Sequence, residues 1–144
     1  MNIFELKDAL NKINEQAKKI YRETGYETHG ELSNIDFDPK DPEQAYLFEE
    51  LYSAVYKLDQ VSWGLDYLNR PIRCEGILTL NDKDRYELCG IELTSGCGLE
   101  IMYYDDFYER NTWLASTLEH NGKEYYFVAK PDFELDGARA RLRK

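Results

Sequence analysis

The 144-residue chain has room for one ordinary domain or two small units, and its 42% apolar and 14% aromatic content excludes a disordered chain. A net charge of −10 opposes binding to nucleic acid and anionic membranes at long range and favours basic surfaces. Cys74, Cys89 and Cys97 fit no metal or redox spacing, which points to a reducing, cytoplasmic setting. No stretch approaches the roughly 18 apolar residues of a membrane span. The opening segment mixes acids with bases where a secretory leader would run from basic to apolar.

The first element is a helix. Ile3, Leu6, Leu10, Ile13, Ala17 and Ile20 recur in alternating steps of three and four, with Lys7, Asp8, Lys12, Glu15, Lys18 and Lys19 elsewhere on the circumference. Gly25 follows, suited to the left-handed residue that commonly ends a helix.

Residues 25–50 hold eight acids against one lysine, a net of −7, and this is the main compositional anomaly of the chain. The acids are Glu27, Glu31, Asp36, Asp38, Asp41, Glu43, Glu49 and Glu50, opposed only by Lys40. Solvation and the positive end of a following helix dipole account for such acids in ordinary structural terms. The functional reading is a surface that presents carboxylates to a basic partner, where phosphates would otherwise lie.

A second helix begins at Asp41-Pro42-Glu43-Gln44. Asp41 can cap it, Pro42 has no amide to leave unpaired, and Gln44 can complete a capping box. Its seam is Leu47, Leu51, Ala54, Leu58, Val61, Leu65 and Leu68, so the two seams predict an antiparallel helical hairpin. Phe48, Tyr52, Val55, Tyr56, Trp63 and Tyr67 widen the apolar arc beyond what one helix can cover, which predicts further packing against the second half of the chain.

From Pro71 the period changes to two. Strands are expected over about 72–80, 85–94, 99–104, 112–120, 123–129 and 138–143, with turns at Asn81–Asp84, Ser95–Gly98 and Asn121-Gly122. Five or six short antiparallel strands close most economically into a small SH3-like barrel; an open sheet capped by the second helix is the alternative. The expected class is α+β. Residues 1–70 form a helical hairpin with an acidic connecting loop, packed on a β-barrel domain of residues 71–144.

The residues Gly76, Arg85 to Leu88, Gly90, Glu92 to Gly96, Glu100, Trp113, Tyr125-Tyr126, Gly137 and Arg139/Arg141 resemble a small bacterial family of unknown function. That family occurs in Gram-positive bacteria and their mobile elements. The resemblance covers residues 72–143. It implies a β-rich fold and a bacterial or mobile-element origin, and it supplies no catalytic residues.

Chemistry-bearing constellations are few. Cys97 in Ser-Gly-Cys-Gly and His120 are the one candidate nucleophile pair, but the glycines suit a tight turn equally well. Asp36, Asp38 and Asp41 alternate like the start of a calcium loop, yet Asp41 and Leu47 stand where that loop requires Gly and Glu. No phosphate-binding loop is present. Near the C-terminus Arg139, Arg141, Arg143 and Lys144 form a row that could follow a phosphate backbone, or pair with Glu75 or another strand acid. Tyr104, Asp105, Asp106 and Tyr108 make a Tyr/Asp loop of the kind recognition surfaces use.

The expectation from the sequence is therefore a non-catalytic, acidic, cytoplasmic interaction protein without cofactor, metal or membrane contact, acting on a basic protein partner that itself binds nucleic acid. Its sharpest form is a mobile-element-encoded inhibitor of host defence resembling an anti-CRISPR. The alternatives are a small RNA- or single-stranded-DNA-binding module using the C-terminal Arg row, and an accessory structural domain.

Overall fold

The computed structural model describes residues 1–143. The chain divides into two compact units, residues 1–69 and the segment from Arg70 onward.

The first unit is helical. Helix α1 spans Ile3–Thr24, and Asn2 and Glu5 form a capping box at its start. Gly25 ends it with φ +82, and a Cβ there would meet Ser33 Oγ at 2.2 Å, so the position admits no side chain without rearrangement. A single turn, α2 (Tyr26–His29), interrupts the connecting loop expected from the sequence. It places the Tyr26 ring 5.6 Å from Tyr21 and 6.4 Å from Tyr52. Helix α3 spans Pro42–Asn69. Asp41 caps it by accepting from Glu43 N–H at 3.0 Å, and Gln44 reaches back to Asp38 N–H at 2.8 Å, closing a wider box than expected.

The seams of α1 and α3 meet only in part. Ala17 of the α1 stripe and Leu65 of the α3 seam are buried, but the other buried residues of α1, Asn14 and Tyr21, lie one position round from the expected stripe, and Ile3 (69%) and Ile13 (57%) stay exposed. Hydrogen bonds decide the rotation. Asn14 Nδ2 and Lys18 Nζ both donate to Asp66 Oδ1, at 2.9 and 2.7 Å, and the Tyr21 and Ser62 hydroxyls lie 2.8 Å apart. Asn11 and Asn69 exchange side-chain amide hydrogen bonds. These contacts descend along α3 as they ascend along α1. The core of the unit is accordingly small, Ala17, Tyr21, Tyr26 and Leu32 backed by Phe48, Tyr52, Val55 and Leu58.

The second unit is antiparallel β. Its strands are β1 (Ile72–Ile77), β2 (Thr79–Leu80), β3 (Tyr86–Leu88), β4 (Ile91–Glu92), β5 (Gly98–Asp105), β6 (Arg110–His120), β7 (Tyr125–Phe127) and β8 (Arg139–Arg143). They form a five-stranded sheet in the order β1-β8-β5-β6-β7 and a three-stranded sheet β2-β3-β4. Leu78, Leu88 and Leu93 from the smaller sheet and its flanks meet Leu99, Ile101, Leu118 and Phe127 in one fully buried core.

The class is thus α+β with helices first and antiparallel strands after, and the closed SH3-like barrel expected from strand count is not formed. The reason lies in the segment 85–94, expected as one strand. Cys89 and Gly90 take φ +52 and +73, the two left-handed residues of a primed two-residue turn, and fold it into the β3-β4 hairpin with Leu88 opposite Ile91. Strands of two or three residues then build a separate small sheet and cannot bridge the edges of the larger one. At the Asn121-Gly122 hairpin the turn is displaced by one residue. Gly122 alone has a positive φ, and Asn121 N–H donates to Glu124 O at 3.1 Å.

Candidate functional site

The acidic segment is carried by α2, the loop after it and the first turns of α3. Seven of its eight carboxylate residues are exposed and Asp41 is half-buried. Two of the eight are used locally. Asp38 accepts from Lys40 N–H at 2.9 Å, and Asp41 takes Glu43 N–H and Gln44 Nε2, which holds its carboxyl below the usual range. Among the described residues none of the eight forms an ion pair with Lys, Arg or His. Elsewhere some acids are ion-paired, Asp66 with Lys18, Glu75 with Arg139, Glu92 with Arg85 and Glu100 with two arginines, while others such as Asp8, Asp82 and Glu134 form no ion pair among the described residues.

Beside these acids lies an apolar groove of about 520 Å³, lined by Ile20, Leu32, Phe37, Leu47, Leu51 and Leu58, with Asp36 and Gln44 among its few polar groups. Phe37 stacks on Phe48 with ring centroids 4.1 Å apart, which fixes the loop as one wall. Sequence reasoning missed this groove, because its depth comes from the rotated pairing of α1 and α3. Glu31 and Glu49 line an adjacent shallow recess, and Glu27 lines another further along the helices.

The Arg row of β8 is placed otherwise than a phosphate-tracking surface would be. Ala140 and Leu142 point into the core and the arginines to the other face, as the alternation predicts. Glu100, only 3% exposed, accepts from Arg141 Nε at 2.5 Å and from Arg143 Nε at 2.6 Å. Arg139 pairs with Glu75 at 3.1 Å. The Arg141 guanidinium lies 4.1 Å from the Trp113 ring centroid, so the row is stacked and neutralised within the sheet. Lys144 lies outside the described residues. Glu100 was the acid that pattern reading left unnamed. Its signal is a lone charge between Leu99 and Ile101 in an apolar strand, directly opposite Arg141 across the β5-β8 pair.

The Tyr/Asp loop is the tip of the β5-β6 hairpin. Asp105 ties it together by accepting from Phe107 N–H at 3.0 Å and Tyr108 N–H at 3.2 Å, which lowers its pKa, so Asp105 is a structural residue of the turn. Tyr104, Asp106 and Tyr108 remain exposed, and Phe107, unremarked in the sequence, is 85% exposed at the tip.

Cys97 and His120 do not engage each other among the described residues. The Cys97 thiol is pushed up by burial, the opposite of an activated nucleophile, and His120 Nδ1 accepts from Gly122 N–H at 3.0 Å. The half-buried Cys74 thiol, beside Cys89, is raised to about 11, by desolvation first and by Cys89 second. Asp36, Asp38 and Asp41 do not converge, and among the described residues no three His, Cys, Asp or Glu side chains are placed to hold a metal ion. No described helix is long and apolar enough to cross a membrane.

Residues from Arg70 onward thus form a small antiparallel β unit whose Arg row is paired within the sheet, preceded in the chain by a helical unit that carries an acidic segment without ion pairs among the described residues. The family model of a domain of unknown function, DUF5348, matches residues 68–142, just over half of the chain, and the chain belongs to that family. No curated protein and no solved structure matches it.

Proposed function

We propose that this protein is a non-catalytic interaction protein that engages a basic partner through the carboxylates of residues 27–50. One observation carries the reading. Eight acids crowd into residues 25–50 with Lys40 as the one opposing cation, and none of the eight has an ion-pair partner among the described residues. Unpaired carboxylates clustered over the end of one helix and the start of another sum to a negative potential that steers a basic surface toward them. A nucleic-acid-binding protein presents such a surface, and carboxylates at phosphate-like positions would occupy its groove. An inhibitor of a nucleic-acid-binding defence protein, carried by a bacterial mobile element, is the sharpest form of this reading.

The antiparallel order of the α1-α3 contacts supports a hairpin as the scaffold. Binding of RNA or single-stranded DNA through β8 is less favoured, because Arg141 and Arg143 already share the Glu100 carboxylate.

The test is capture of nucleic-acid-binding proteins on the immobilised chain, followed by elution with a single-stranded polyanion. The expected partner is released by the polyanion and by salt, and is not captured when Glu27, Glu31, Asp36, Glu43, Glu49 and Glu50 are changed to Gln or Asn. A partner held equally well by that variant rejects the reading.

A further inference from the structure

The rotated packing of α1 on α3 buries Ala17 and Leu65 and half-buries Leu58, and leaves the rest of both heptad seams on the surface. Ile13 on α1 and Leu51 and Val61 on α3 are each more than half exposed, and the stripe continues from Ile3 to Ile20 and from Leu47 to Leu68. A strict three-four repeat sustained from Ile3 to Ile20 and from Leu47 to Leu68 is the pattern of a helix that packs knobs into holes against other helices. Within this unit the hydrogen-bonded contacts lie to one side of the seams, through Asn11, Asn14, Lys18 and Tyr21.

We propose that this face closes on the same face of a second copy, forming a four-helix bundle about a two-fold axis. Three features select a second copy over another occupant. The exposed seam residues present on the order of 800 Å² of apolar surface per copy, which is the area each partner of a standard interface buries. The outer flank of the α1 seam carries the uncharged Ala9 and Gln16, and that of α3 carries Gly64 with one acid and one base, so these flanks offer little to a partner of a single charge sign. On the same α3 flank Glu50 and Lys57 lie one heptad apart with opposite signs. Antiparallel pairing of α3 with its symmetry mate, centred near the small Ala54, brings each Glu50 to the Lys57 of the other copy. The groove beside the acidic segment is one end of this face, and it would be filled by side chains of the second copy.

The dimer shares Glu50 with the proposed partner contact, and salt separates the two. Each copy carries −10, so salt screens the repulsion between copies and an apolar dimer holds or tightens, whereas a carboxylate contact to a basic partner weakens. Sedimentation of the full chain over a concentration series is expected to give twice the 17.0 kDa chain mass, undiminished at roughly 1 M salt. Leu51→Lys or Ile13→Lys, each checked for retained helical circular dichroism, should weaken the dimer by at least tenfold. Lys57→Glu should weaken it severalfold and the double swap Glu50→Lys, Lys57→Glu restore it; both changes are on the surface and leave the fold intact. A mass that stays at one chain up to about 100 µM overturns the proposal. So does a dimer indifferent to the Lys57 change, or one that dissociates as salt rises.

Discussion

The two units solve the same problem of charge in opposite ways. In the β unit Glu100 is taken into the sheet and saturated by Arg141 and Arg143, with Trp113 beneath, and ten buried residues close the core. In the helical unit four residues make the core, and an acidic segment and most of two apolar seams face outward. On the function proposed above, recognition falls to these first 69 residues.

Removing Glu100 attacks the contrast at its strongest point. Glu100→Ala leaves two guanidinium groups without their carboxylate in a largely dry site, and should cost about 3–5 kcal/mol in urea unfolding of the full chain. A loss under about 1 kcal/mol would mean that the triad is incidental. Core truncation sharpens the same comparison. Phe127→Ala should cost about 3–5 kcal/mol, while Ile13→Ala at dilution, where copies are separate, should stay within about 0.5 kcal/mol. Comparable losses at the two positions would show that the α1 seam is covered within a single chain.

Alkaline titration probes the β unit more gently. The Cys74 thiol has its folded pKa raised from 9.0 to about 11, so the folded state holds its proton more tightly than the unfolded chain. That contribution is complete below pH 9 and is lost as pH rises toward 11, a loss that Cys74→Ala should abolish. The smallest expected effect is a gain. Cys89 sits at φ +52 in the β3-β4 turn, where Asn is at ease, and Cys89→Asn should stabilise by about 0.5–1 kcal/mol in the same unfolding assay.

Much of the local structure was legible because it rests on short-range chemistry. Gly25, Asp41-Pro42 and the seam periodicities placed α1 and α3, and the turn at Ser95–Gly98 is set by Gly96 with φ +84. Orientation was not legible. Heptad spacing says that a face is apolar, and Asn14, Lys18 and Asp66 then chose another face for the intramolecular contact, a choice visible only once the two helices are brought together. The β3-β4 turn was hidden because Cys89 is not a residue that advertises a positive φ. The Arg row was read as a row, but its partner Glu100 arrives from a strand some forty positions away, a pairing set by sheet order. For the candidate site, composition located the acids, while the groove beside them and the exposed Phe107 depend on tertiary placement.

The most direct measurement is the melting temperature of the chain with Glu27, Glu31, Asp36, Glu43, Glu49 and Glu50 neutralised, Asp38 and Asp41 being kept for their backbone contacts. These six carboxylates hold no cation of their own chain among the described residues, so melting at dilution, where copies are separate, is expected to be unchanged or raised as like-charge repulsion is relieved. A fall of about 5 °C or more would contradict it, because the acids would then be bonding within their own chain.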